Sequence, residues 1–281
     1  MSIVSYEIIE NIGVIRLNNP PVNALSHALR TGIQDAVNQA QEDDSQAIIL
    51  LCEGRTFIAG ADISEFGKPP QAPSLPSILA TIEDSKKPVI AAIHGTALGG
   101  GFEVALACHY RCALSSAKVG LPEVKLGLLP GAGGTQRVPR LAGAEAALKL
   151  ITSGAPISAN DAHKMQLLDH VVDGDLLNGA LAYAKLLSDV QAPMRRVRDI
   201  IIDPATAPAE LFDGYRKTLA KRARGQIAPQ NIVNCIEAAV KLPIIEGLAF
   251  ERNMFMECLK SSQSAALRHM FFAERESLKI K

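Results

Sequence analysis

Between Val89 and Cys108 the chain reads as a strand, three consecutive glycines and a helix, and this order constrains the fold more than any other stretch. Lys87-Pro88 precedes five apolar residues, Val89-Ile-Ala-Ala-Ile93, a run of the length and uniformity of a fully buried strand. Gly99-Gly100-Gly101 follows, and the segment from Phe102 to Cys108 continues as a helix. Glycines at such a junction let the backbone turn through positive φ and approach another group closely. They also aim the first-turn N–H groups, which the helix itself cannot satisfy, at whatever lies in front. A mixed α/β core is the expectation.

The amino-terminal stretch repeats part of this grammar. Apolar residues alternate around Ile8, Ile12, Val14, Ile15 and Leu17 and stop at Asn18-Asn19-Pro20-Pro21, which predicts a hairpin-like strand pair and a break. Ser26 stands where a helix cap belongs, ahead of Leu29, Ile33, Ala36, Val37 and Ala40 at helical spacing, and Ala47–Leu51 follows as another buried strand. The proline-rich segment from Gly67 to Pro76 predicts a mobile surface loop. From about residue 176 the pattern is helical, first Leu181, Ala184 and Leu187, later Leu248, Phe255, Cys258 and Leu259 on one face, with prolines between. The expected division is a core over 1–190 and a helical region over 191–281.

Composition removes several classes of function. Lys plus Arg and Asp plus Glu both total 29, so nothing in the overall charge points to nucleic acid or an anionic membrane. Residues 195–281 hold 15 Lys/Arg against 10 Asp/Glu, a solvated helical surface or a set of cations for ligand phosphates, densest at Lys221, Arg222 and Arg224. The five cysteines form no C-x-x-C pair, which argues against a disulfide framework and a zinc site, and the six histidines lack ligand spacing. The start has no secretory pattern and no stretch reaches membrane-spanning length, so the expectation is a protein that is not secreted.

Three clusters carry polar chemistry: Phe57-Ile-Ala-Gly-Ala-Asp62, Ala97-Leu-Gly-Gly-Gly-Phe-Glu103, and Gly120 to Arg137 with its Leu-Pro-Glu123 and Gly131-Ala-Gly-Gly-Thr135. Taken singly, the triple glycine is a tight turn, Glu103 a first-turn acid facing the helix dipole, and Glu123 an ordinary acid after a proline. The Gly131–Thr135 run lacks the G-K-[ST] ending of a phosphate loop.

In order and wording, the three clusters together resemble the enoyl-CoA hydratase/isomerase (crotonase) family over roughly residues 5–190. The resemblance implies a crotonase-like spiral of repeated ββα units followed by an α-helical carboxy-terminal region. It implies that the N–H groups of Ala61 and Gly100 hold the thioester oxygen, that Glu103 and Glu123 move protons, and that Ala59, Ala61, Asp62, Ile63 and Gly100 lie along coenzyme A. The implied activity adds water to a trans-2-enoyl-CoA to give a 3-hydroxyacyl-CoA in fatty-acid β-oxidation, with Δ3-Δ2 isomerase activity on the same scaffold. Isomerisation alone, thioester hydrolysis, or non-catalytic acyl-CoA or RNA binding are the alternatives.

The tail, with Lys221-Arg222-Ala-Arg224-Gly225, Glu246-Gly247 and Phe271-Phe272-Ala-Glu-Arg275, is similar to the helical segment after the hydratase part of multifunctional β-oxidation enzymes. The resemblance therefore implies the amino-terminal half of a hydratase/3-hydroxyacyl-CoA dehydrogenase. It implies no cofactor or metal of this half's own: CoA is part of the substrate, and NAD serves the dehydrogenase part. The expected partner is an acyl-CoA thioester, not nucleic acid or membrane, in a homo-oligomer (trimer) or a monomer. The expected compartment is the bacterial cytoplasm or, in a eukaryote, the peroxisome. Phe102, where many relatives have a smaller residue, and the proline-rich loop leave chain-length preference open.

Overall fold

The computed structural model describes residues 2–62, 65 and 68–277, Arg275 without its side chain. Strands β1 (Val4–Ile9) and β2 (Ile12–Leu17) form the expected hairpin, closed by Glu10 and Asn11. Both of these residues have positive φ, as a two-residue turn matched to strand twist requires. Helix α1 (His27–Gln41) is capped by Ser26, whose side chain accepts the Leu29 N–H, and it buries Leu29, Ile33, Ala36, Val37 and Ala40 as the spacing predicts. Strand β3 (Ala47–Cys52) is buried along its whole length.

Helix α2 (Leu75–Glu83) begins inside the segment expected to be loop. Ser74 caps it, accepting the Ser77 N–H at 3.3 Å, and Pro76 sits in the first turn, where its missing N–H has no intrahelical partner to lose. Residues 68–72 are exposed; Gly67 lies outside the described residues. Strands β4 (Val89–Ile93) and β5 (Thr96–Leu98), helix α3 (Gly100–Ala107), and strands β6 (Tyr110–Leu114) and β7 (Lys118–Gly120) complete the second ββα-type passage.

After helices α4 (Gly134–Ala142) and α5 (Ala144–Ser153) come β8 (Ile157–Ser158), α6 (Ala159–Lys164), β9 (His170–Val172) and α7 (Leu176–Asp189). The larger sheet runs β1-β2-β3-β4-β6-β9, parallel except for the first hairpin, and β5-β7-β8 form a small second sheet. Alternate residues of the large sheet, among them Val14, Ile49, Leu51, Ile90, Ala92 and Cys112, cluster with Ala180, Leu181 and Ala184 of α7. This is the period-two sorting that a strand buried on both faces imposes. The remainder is helical: α8 (Ala209–Arg222), α9 (Ile227–Lys241), α10 (Ile244–Lys260) and α11 (Ser262–Ser277). Its prolines stand at helix starts, Pro208 and Pro243 as caps and Pro229 within the first turn of α9.

The chain forms two compact units, Met1–Gly120 with Pro156–Asp199, and Leu121–Ala155 with Ile200–Lys281. This packing division cuts across the expected 1–190 and 191–281 boundary, because α4 and α5 pack on α9, and α10 on α4. No helix of the described residues is long and apolar enough to cross a membrane, and none of their His, Cys, Asp or Glu side chains cluster in threes suited to a metal ion.

Candidate active site

In the first unit, the segment around Phe57-Ile-Ala-Gly-Ala61 is laid between two neighbours by its own backbone groups. The Phe57 N–H donates to the His94 carbonyl at 2.9 Å, the Leu98 N–H to Ile58 at 3.0 Å, and the Ala59 N–H to Val22 at 3.2 Å. Leu25 N–H donates to Gly60 at 2.9 Å, pairing Leu25 with Ala61 as an isolated parallel bridge. Two asparagine-centred bonds hold the near end: Asn23 Nδ2 donates to the carbonyls of Glu53 and Thr56, each at 2.9 Å.

Against this segment the chain turns into α3. Gly99 adopts φ 54° and ψ −129°, a conformation open to glycine, and its N–H donates to Gly120 at 2.9 Å. Gly101 has a different reason to be glycine: a Cβ there would stand 2.1 Å from the Ile58 carbonyl oxygen. Gly100 approaches Ala61: a Cβ on it would lie 3.5 Å from the Ala61 nitrogen. Ala61 and Gly100, far apart in sequence, are therefore brought together, and Gly100 belongs to the helix's first turn, whose N–H groups have no acceptor within the helix. Backbone N–H groups at the positive end of a helix can stabilise an oxygen that gains charge.

Glu103 is in that same first turn, three residues on from Gly100, and is only 2% exposed. Ala59 has its N–H engaged by Val22, so toward a ligand it offers its carbonyl. The Asp62 carbonyl accepts the Glu65 N–H at 3.0 Å. Ile63 lies outside the described residues.

Glu123 belongs to the second unit. It opens a short 3-10 turn, Glu123–Leu126, after Pro122, and is half-buried. Gly127 ends the turn at φ 65°, and the Glu123 carbonyl accepts the Leu128 N–H at 3.1 Å. The Gly131–Thr135 run in this unit holds no phosphate-loop role open. Its Gly133 and Thr135 N–H groups donate to the Glu251 carboxylate of α10, at 2.6 and 3.0 Å. An internal acid thus occupies the anion-seeking end of α4.

Sequence reading missed the supports of the first site. Arg30 of α1, 7% exposed, pairs with Glu65 at 2.8 Å and donates to the carbonyls of Leu25 and Pro73, and Glu65 also accepts the His27 N–H at 2.7 Å. These bonds tie Glu65 and Pro73 to α1. A charged residue directly beside the buried Leu29 was the one signal available. Leu25 and Leu75 were also missed; their methyl groups would stand 3.3 and 3.0 Å from a Cβ at Gly100. His109 holds structure: it is fully buried, accepts the Val89 N–H on Nδ1, and burial, reinforced by the charges of Arg196 and Arg111, pushes its imidazole down to about 4.

The sequence matches the family described as enoyl-CoA hydratase/isomerase over residues 7–210. The chain is 42% identical over 278 residues to the peroxisomal bifunctional enzyme of Danio rerio, covering 98% of this chain and 38% of that protein. It is 42% identical over 271 residues to the human peroxisomal bifunctional enzyme, covering 95% and 37%. The chain thus spans less than two fifths of the length of these relatives. Among solved structures, carnitinyl-CoA hydratase from Mycobacterium avium superposes with a TM-score of 0.70 at 30% identity, over 98% of this chain and 97% of that one. With that match along nearly the whole length, and with the family's motifs assembled around Ala61 and Gly100, the chain belongs to the enoyl-CoA hydratase/isomerase family and has the crotonase fold.

Proposed function

We propose that this chain hydrates trans-2-enoyl-CoA thioesters to 3-hydroxyacyl-CoA within fatty-acid β-oxidation, as the hydratase part of a longer bifunctional enzyme. The observation that carries this is the approach of Gly100 to the Ala61 nitrogen at the start of a helix whose first turn also bears the buried Glu103. Adding water at C3 drives electrons toward the thioester carbonyl and builds an enolate. Two fixed N–H donors stabilise that charge as it forms, and losing one such donor commonly costs about 3–4 kcal/mol.

Glu103 orients the water and takes its proton, while Glu123 delivers a proton to C2, so the products balance as substrate plus one water. A base shuttling one proton across the face of the same enolate also moves a double bond from C3 to C2, and Glu123 is the residue assigned to that isomerisation. CoA is assigned to Ala59, Ala61, Asp62 and Gly100, and no further cofactor enters the reaction. The names of the relatives support the peroxisome as the compartment in a eukaryotic cell. The proposed assembly is a homo-oligomer (trimer) or a monomer.

The test is direct. The purified chain, mixed with a short trans-2-enoyl-CoA, is expected to bleach the absorbance of the conjugated thioester and to yield a product heavier by one water. Free CoA released in its place would mark a thioester hydrolase, and no change would end the hydratase reading.

A further inference from the structure

We propose that Glu251 and Ser264, on the two carboxy-terminal helices of the second unit, are positioning residues for Glu123. The inference rests on the catalytic reading of Glu123 given above and adds the device that holds it.

Glu123 has little regular structure of its own to fix it. It stands in a single 3-10 turn followed by a stretch without helix or strand up to α4 at Gly134. Both ends of that stretch are clamped from α10 and α11. At the near end, Ser264, fully buried, donates its hydroxyl to the Leu126 carbonyl at 3.0 Å. Gly127 beside it is glycine on two counts: its φ is 65°, and a Cβ would stand 3.0 Å from the Ser264 Cα.

At the far end, one face of α10 lies along residues 131–136. Glu251 accepts the N–H groups of Gly133 and Thr135 on separate oxygens, together with the Thr135 hydroxyl. One helical turn before it, Gly247 leaves room for Gln136, whose Oε1 would be 2.1 Å from an added Cβ. One turn after it, the Phe255 ring fills the space at Gly131, 2.7 Å from an added Cβ. Positions 247, 251 and 255 are thus a single stripe with i, i+4 spacing that grips the loop through bonds and shape. Glu251 itself is 1% exposed, and its carboxyl oxygens face fixed donors at the start of α4. Between the clamps only Leu128, Leu129 and Pro130 remain, and both leucines are buried.

A carboxylate that must meet one carbon of a substrate loses rate steeply when displaced by about 1 Å, with little effect on substrate affinity. This separates positioning from a purely structural cap. In Glu251→Gln the N–H of Gly133 or of Thr135 meets an amide NH2 instead of an oxygen, so the grip loosens on one side. Hydration kcat is expected to fall about 10- to 100-fold, KM to stay within about threefold, and Ser264→Ala to lower kcat about 3- to 10-fold. In a Glu123→Gln background the Glu251→Gln change should cost less than about twofold, because the residue acts through the side chain already disabled.

The experiment measures kcat, KM and thermal unfolding for the parent chain, the three single variants and the Glu123→Gln/Glu251→Gln double. An equal fall of kcat from Glu251→Gln in both backgrounds, or parental kcat in folded Glu251→Gln, overturns the inference. If Glu251→Gln does not fold, Ser264→Ala decides, and unchanged kcat there overturns it. If Glu123→Gln alone hydrates like the parent, the catalytic reading of Glu123 falls first. A slow Glu123→Gln beside fast Glu251→Gln and Ser264→Ala leaves that reading standing and removes only the positioning.

Discussion

Glu103→Gln should lose hydration about a hundredfold to ten-thousandfold, the range that one well-placed proton-transfer group contributes. The substitution keeps the shape of a side chain only 2% exposed in the first turn of α3, so the fold and the neighbouring Gly100 turn should persist. What it removes is the ability to accept a proton from water. Movement of the double bond from C3 to C2 needs no attacking water, so Glu103→Gln should retain more of that activity than Glu123→Gln does. Binding of a saturated acyl-CoA should survive both changes, because the CoA contacts are assigned to the backbone near Ala61. Parallel assays of hydration and isomerisation on both variants check this, and equal loss of both activities in both variants would contradict the division of roles.

Gly101→Ala should be the most destabilising small substitution near the site. Its methyl group would stand 2.1 Å from the Ile58 carbonyl oxygen and 2.7 Å from the Ile58 carbonyl carbon, both backbone atoms. That oxygen already accepts the Leu98 N–H at 3.0 Å, so retreat breaks the bond joining the Ala61 segment to β5. Overpacking against backbone together with a lost buried bond suggests at least about 3 kcal/mol, enough to leave much of the chain unfolded. Gly214→Ala is the control. Gly214 is exposed within α8 with nothing within 4 Å of an added Cβ, and the change should be neutral or stabilise by up to about 1 kcal/mol. Chemical denaturation of the two variants would show this contrast, and parental stability in Gly101→Ala would refute the close-approach argument.

The first hairpin, α1 with its Ser26 cap and the triple-glycine entry to α3 were legible because each is decided by residues a few positions apart. The start of α2 was misplaced because proline reads as a breaker, although in the first turn it costs the helix nothing. The supports of the site were illegible for another reason. Arg30 meets Glu65 and Pro73 across some 35 to 43 positions, and Glu251 meets Gly133 and Thr135 across 118 and 116. Neither carries a local motif. The Gly131–Thr135 run shows the same limit from the other side: its composition advertises an anion site, and only the fold reveals that the anion is Glu251.

The central claim is that Ala61 and Gly100 stabilise an enolate of a thioester while Glu123 handles the proton at C2. Exchange of the C2 hydrogens of a saturated acyl-CoA in D2O, followed by NMR, isolates that step from water addition. The account predicts stereoselective exchange by the parent chain and by Glu103→Gln, and its loss in Glu123→Gln. Absence of exchange with the parent, or exchange undiminished in Glu123→Gln, would contradict it.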